Sequence, residues 1–249
     1  MSLSIIVNAD DFGYNETATS RTISFIERGL VSSATIMATG ADFDRAAEYA
    51  KTRPDISFGV HLALAEVPSL SGSDALGGGG AMSCWAKGKG FKAAFDAHLR
   101  AAIELEWSMQ IQKCIDSGLK ISHIDSHHGV HTKPFTFLPL KNVAAKFGIR
   151  RVRNIHNCSD AFTAKQRLQR IVYEAGFRYF PPAFATTKYF MSYSEFTKMP
   201  ARPADGTVEL MCHPGGVYPD EDALIEGGEL ARLCGIFKLS NWNDIPLRK

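Results

Sequence analysis

The sequence has no long hydrophobic run: none of its 249 residues belongs to a stretch near the roughly 18 apolar residues a membrane helix needs. A membrane partner is therefore not expected. Nor does charge of one sign dominate. Lys and Arg number 28 against 26 Asp and Glu, a net of +2, too balanced for the basic face that nucleic acid requires. The five cysteines (Cys84, Cys114, Cys158, Cys212 and Cys234) are odd in number, scattered and without a CxxC pair. That excludes a disulfide framework and fits reduced thiols, so the expected location is cytoplasmic. The opening residues Met1 to Val7 carry no basic stretch and no small-residue cleavage site, and no signal peptide is expected there. No internal repeat is visible, and a GxxxxGK[ST] phosphate cradle is missing. What remains is an ordinary soluble composition, 45% hydrophobic and 22% charged, able to bury a large core. Eight histidines stand out, four of them between His123 and His131.

Short β-rich runs alternate with segments of helical period. Strands are expected at 3–9, 33–38, 57–64, 121–127, 150–155, 177–180, 207–213 and 235–239, and helices at 17–28, 41–52, 92–117, 134–147, 163–175 and 221–234. Gly29, Gly118, Gly148 and Gly176 follow helix candidates, where a left-handed C-cap is wanted. This βαβα order predicts a mostly parallel sheet covered by helices, and that many strands favour an irregular barrel. The expected architecture is a single α/β domain over residues 1–249, interrupted by a Gly- and Ser-rich insertion at about 66–91. The insertion reads as a flexible surface loop, or as a lid in which Trp85 and Phe91 offer an apolar face to a sugar ring.

In a parallel α/β protein the site lies at the carboxyl ends of the strands. Asn8, Asp10 and Asp11 end the first strand candidate, His61 lies late in the third, Asp125 and His127 end the fourth, and His213 ends the seventh. Each alone could be a turn residue or a core histidine; together they converge on one rim. The strand period puts His123, Asp125 and His127 on one face, with His123 deepest and more structural. Asp125 inside a strand needs a partner, and supporting a ligand imidazole supplies one. Of the neighbouring Asp10 and Asp11, one can bind a metal while the other accepts a proton. A carboxylate with two imidazoles makes a facial ligand set, with nitrogens more natural for Zn²⁺, Co²⁺, Ni²⁺ or Fe²⁺ than for Mg²⁺. His128 and His131 read as supporting or loop residues, and His98 and His156 have no assigned role. Arg153 could hold a substrate carboxylate or sugar hydroxyl, or be a solvated charge beside Arg150 and Arg151.

The segments NADDFG (Asn8–Gly13), GVHL (Gly59–Leu62), HIDSH (His123–His127) and ELMCHPG (Glu209–Gly215), with ERGLVSSA from Glu27, resemble the YdjC-like carbohydrate deacetylases, the ChbG-type chitooligosaccharide deacetylase family. The resemblance spans about residues 4 to 245. It implies a distorted TIM-like (β/α) barrel and a metal-dependent N-deacetylase acting on N-acetylated amino sugars or oligosaccharides. By position, Asp11, His61 and His127 would bind the metal, Asp10 would be the general base, and His213 a second acid/base group. One divalent ion is implied, zinc or magnesium first, with cobalt, nickel or manganese also accommodated. The family's usual further histidine in the SHxHVH pattern is Gly129 here. A homodimer is allowed. The alternatives are another metal-dependent amidohydrolase or a phosphoesterase on a similar barrel, for which a two-ion stoichiometry would argue, and a non-catalytic sugar-binding homologue.

Overall fold

Strand β1 (Leu3–Phe12) is the hub of the sheet. Its two-residue period sends Leu3, Ile5, Val7 and Ala9 into the main apolar core and Ile6 into a smaller cluster with Trp242, while Asn8 and Asp10 join a polar network inside the sheet's curl. The computed structural model describes residues 3–78, 81–82, 90–158, 162–216, 218–229, 232 and 236–247. Around β1 lie β2 (Ser33–Ile36), β3 (Ser57–Leu62), β4 (Ile124–Ser126), β5 (Tyr189–Ser192), β6 (Gly206–Cys212) and β7 (Lys238–Leu239). Their order is β4-β3-β2-β1-β6-β5, with β7 also on β1, and every ladder is parallel.

Parallel neighbours need crossover connections. Helices α1 (Glu16–Glu27), α2 (Phe43–Lys51) and α3 (Ala97–Asp116) supply those from β1 through β4. They are followed by α4 (Phe137–Lys146), α5 (Ala164–Tyr179), α6 (Tyr193–Lys198) and α7 (Pro219–Glu226). Beyond β4 the curl continues through two isolated parallel bridges, Ile124 to Val152 and Arg151 to Ala185. The result is a single-domain α/β fold whose sheet curls into a half-barrel, the distorted TIM-like barrel expected from the sequence.

Two local expectations need correction. Residues 177–180, expected as a strand, form the last turn of α5 and its C-cap. Tyr173 and Phe177 lie one helical turn apart and pack together, with Phe177 against Phe184 and Tyr173 against Phe137 at 5.6–5.7 Å. That face, with a Thr163–Gln166 capping box at the other end, outweighs the β preference of Tyr and Phe. Lys141, buried, donates to the carbonyls of Phe177, Phe180 and Pro182 and so caps the helix end. Consequently Gly176 is no C-cap: it lies inside α5, and a Cβ there would meet the Phe137 ring at 3.2 Å. Gly29, Gly118 and Gly148 do take left-handed φ after their helices. The expected strand at 150–155 is reduced to single bridges, whereas β5 and α6 were unforeseen. Ser192 and Glu195 form a capping box whose S-x-x-E spacing is visible in the sequence.

In the insertion, Glu66 N–H donates to the Met82 carbonyl and Met82 N–H to that of Val67, both at 2.8 Å, and Leu76 is buried. Trp85 and the side chain of Phe91 lie outside the described residues. Glu106 on α3 is fully buried and anchors this segment. It accepts from Ser69 Oγ at 2.6 Å, the Leu70 and Ser71 N–H groups, and Gln110 Nε2. Glu106→Gln replaces one acceptor by a donor among four donors. A stability loss of about 1–3 kcal/mol is expected, with faster amide exchange at 70–71 in hydrogen-exchange measurements; unchanged exchange would show that Glu106 does not hold the loop.

Candidate active site and metal centre

The interior of the sheet is polar where most parallel barrels are packed with branched apolar residues. Ser33 Oγ donates to Asn8 Oδ1 at 2.5 Å, and Asn8 Nδ2 donates to Asp10 Oδ1 and Thr35 Oγ1. Thr35 Oγ1 donates to Asp125 Oδ2 at 2.9 Å, and Asp125 Oδ1 is 2.7 Å from His61 Nδ1. β1, β2, β3 and β4 are thereby linked across the curl by side chains of strand residues spaced two apart.

Consecutive strand residues should diverge, yet Asp10 and Asp11 line the same cavity. The cause is a break in the β1–β2 register between Ala9 and Phe12, with Asp11 at a left-handed φ of 60°. Asp11 Oδ1 lies 3.2 Å from His61 Nε2 and 2.9 Å from His127 Nδ1. Burial opposes charge on Asp11, but the hydrogen bonds from His127 and His61 hold its carboxyl well below the usual range. Burial likewise disfavours charge on His61, but Asp125 and Asp11 beside it push its pKa up to about 10. A divalent cation would satisfy the same carboxylate while both imidazoles stay neutral.

The donors fit such an ion. Asp125 takes the Nδ1–H of His61 and so leaves Nε2 to face Asp11. One ligand atom each from Asp11, His61 and His127 lies within 4.8 Å of the other two, a spread one ion with bonds of about 2.0–2.2 Å could draw together. Two deeper groupings, Asp10 with His61 and Asp125, and His123 with Asp125 and Glu209, are also compact. Both include carboxylates paired with Arg153, whose guanidinium repels a second cation there.

Arg153 is not a solvated charge: its side chain is 2% exposed, at the wall of the cavity. Nη1 and Nη2 donate to Asp10 Oδ2 and Oδ1 at 2.7 and 2.6 Å, Nη1 also lies 2.7 Å from Asp125 Oδ2, and Nε donates to Glu209 Oε1 at 2.8 Å. Burial raises the Asp10 pKa, but the charge and fork of Arg153 outweigh it and bring it down to about 2. Asp10 is thus ionised and fixed in direction. Burial pushes Glu209 the other way, up to about 7, with Arg153 opposing.

His131 is buried below the rim. Its Nε2–H donates to the Arg153 carbonyl at 3.2 Å and its Nδ1 pairs with Ser126 Oγ. Burial, and then the Arg153 charge, lowers its pKa to about 3, so it is a neutral support. His123 lies deeper still, stacked on Trp242 at 4.4 Å. A Cβ at Gly59 would come within 2.6 Å of its ring, which accounts for the glycine. His213 stands across the cavity. Its backbone N–H and Nδ1 both face Glu221 Oε2, at 2.8 and 3.4 Å, leaving Nε2 without a hydrogen bond among the described residues. Burial lowers the His213 pKa, but Glu221, then Asp10 and Asp11, bring it above the ordinary value.

The structure therefore gathers Asp10, Asp11, His127 and His213 on one cavity of about 1020 Å³, flanked by Tyr14 and Tyr218, with His61 directly behind. Sequence reasoning missed Glu66, Glu209 and Glu221. Glu209 shares the two-residue period with Met211 and His213, a readable signal; nothing local marks Glu66 or Glu221. Gly129 adopts φ 60°, and a Cβ there would find only Thr132 Oγ1 at 3.9 Å. The position is open, so the missing side chain leaves room at the cavity wall.

The chain is thus a curled parallel α/β barrel whose rim brings Asp11, His61 and His127 close enough to share a metal ion, beside a second aspartate clamped by Arg153. The comparisons narrow this. The chain belongs to the YdjC-like protein family, whose model matches residues 4–235. It is 33% identical to a carbohydrate deacetylase of Listeria monocytogenes over 227 residues, 88% of this chain and 83% of that one. It is 32% identical to a carbohydrate deacetylase of Geobacillus stearothermophilus over 219 residues, 84% and 78% of the two chains. Among solved structures, an Enterococcus faecalis protein described as a candidate cellobiose-phosphate cleavage protein superposes with a TM-score of 0.70 at 22% identity, covering 99% of this chain and 100% of that one. The catalytic domain of a peptidoglycan N-acetylglucosamine deacetylase from Eubacterium rectale gives 0.50 at 10% identity, covering 99% and 92%. These two likenesses are of fold.

Proposed function

We propose that this chain is a metal-dependent hydrolase that removes the acetyl group from N-acetylated amino sugars or their oligosaccharides. The observation that carries the reading is the placement of Asp11, His61 and His127 around one point, with Asp10 clamped beside it and His213 across the cavity. Asp11, His61 and His127 would hold one divalent ion, for which zinc suits the two nitrogens better than magnesium. Bound there, the ion supplies Lewis acidity that polarises the acetyl carbonyl and acidifies water. Asp10 accepts a proton from the attacking water. Arg153 keeps it ionised and aimed, at a pKa of about 2. His213, its Nδ1 held by Glu221, presents Nε2 to donate a proton to the leaving nitrogen. Acetate and a free amino sugar are the products. Tyr14 and Tyr218 offer apolar faces to sugar rings.

No described helix is long and apolar enough to cross a membrane, and Cys114 and Cys212 are buried free thiols, both in keeping with a cytoplasmic enzyme. The exposed Leu168, Ile171 and Val172 on α5 form the face on which a homodimer would meet. The reading is tested by incubating the metal-loaded chain with N-acetylglucosamine oligomers and measuring acetate: release that stops on chelation is expected, and none from any acetylated sugar would sink the proposal. The role of His213 has its own test. Removing the carboxylate that raises its pKa means the protonated acid is lost at lower pH, so Glu221→Gln is expected to move the alkaline limb of kcat/KM to lower pH. An unmoved limb would remove His213 as the acid.

A further inference from the structure

Each imidazole on the proposed ion carries a carboxylate on its far side, and the two carboxylates come from different surroundings. For His61 it is the fully buried Asp125 at Nδ1. For His127 it is Glu66, in the loop after β3: Nδ1 of His127 faces Asp11 at 2.9 Å, while Nε2 is 3.3 Å from Glu66 Oε2. The other Glu66 oxygen lies 3.1 Å from His128 Nε2. Glu66 has a left-handed φ of 66°, and the non-glycine residues with such φ among those described (Asp11, Glu66 and His128) all line the one cavity. Conformations of this kind persist where surrounding contacts impose them, often at functional sites. Here the Glu66 N–H is fixed on Met82, and further along the loop Leu70 and Ser71 are fixed on Glu106.

We infer that Glu66 is a positioning residue for the metal: it accepts the Nε2–H of His127, turns Nδ1 towards the ion, and so sets ion affinity from an otherwise separate surface loop. The inference rests on the ligand set proposed above. Partners of this kind are commonly worth 10–100-fold in metal affinity. Because the Glu66 side chain is 58% exposed where that of Asp125 is fully buried, the lower end, roughly tenfold, is expected and should shrink with salt.

The test is calorimetric titration of the metal-free full chain with Zn²⁺, paired with the visible spectrum of the Co²⁺ form. Wild type should bind one ion, Glu66→Ala one ion roughly tenfold more weakly with the same four- or five-coordinate spectrum, and Glu66→Gln, whose amide oxygen still accepts the Nε2–H, near-wild-type affinity. Equal affinity in wild type and Glu66→Ala overturns the inference. So does a second bound equivalent in wild type that Glu66→Ala abolishes, since Glu66, His127 and His128 would then be ligands of their own site. If wild type binds no ion, or Asp11→Asn binds as tightly as wild type, the ligand set itself fails, a result separable from either.

Discussion

Asp10→Asn is expected to slow acetate release by about 10²–10⁴-fold, the range attributable to a positioned general base, with the ion still bound. The asparagine side chain keeps the shape of the carboxylate but cannot take up the proton of water. The ion should be retained because the donors proposed for it, Asp11, His61 and His127, do not need Asp10 for their orientation: His61 is held by Asp125 and His127 meets Glu66. The fold should survive as well, because Arg153 retains Asp125 and Glu209 as counter-ions. Measured as initial acetate rates alongside metal content, the variant distinguishes base from ligand. Near-normal turnover with metal bound would show that Asp10 is not the base.

Arg153→Met should produce the largest loss of stability, about 3–5 kcal/mol, the cost of removing one member of a buried charge set. Arg153 is the buried cation shared by Asp10, Asp125 and Glu209, whose side chains are at most 3% exposed. Without it three carboxylates face one another away from water, and protonation becomes the cheapest relief. The sign with pH follows. In the wild type the Asp10 pKa is depressed from 3.8 to about 2, so its contribution is present above the unfolded value and lost only as pH falls through that window. In the variant the remaining carboxylates are raised above their unfolded values, so the native state takes up protons as pH drops. The stability gap from wild type should therefore be widest near pH 8 and narrow towards pH 5, as read by urea denaturation at both. A gap independent of pH, or none, would mean that Arg153 is not the counter-ion of this cluster.

The site was legible in the sequence wherever the strand period carried the information. Asp125 and His127 alternate along β4 and its end, and NADDFG marks the end of β1, so strand period and motif together locate the rim. Two things escaped that arithmetic. The backbone kink at Asp11 puts both aspartates in one cavity, an irregularity of register that no periodic pattern encodes. The carboxylates that hold the imidazoles, Glu66 and Glu221, reach them from loops and helix starts, where position depends on tertiary packing. Arg153 was visible only as part of a basic run; its burial becomes evident once Asp10, Asp125 and Glu209 are seen to point inward together. In the fold, FRYF read as a strand because aromatic content favours β structure, whereas the Tyr173–Phe177 spacing against Phe137 and Phe184 decided for a helix.

The most direct measurement is anomalous diffraction at the absorption edge of zinc on crystals of the metal-loaded chain. One peak per chain is expected, within bonding distance of a carboxylate oxygen of Asp11, of His61 and of His127, with the Asp10 carboxylate still forked on Arg153. A peak at His123, Asp125 and Glu209, or at Glu66 and His128 without Asp11, would contradict the proposed centre and the mechanism built on it.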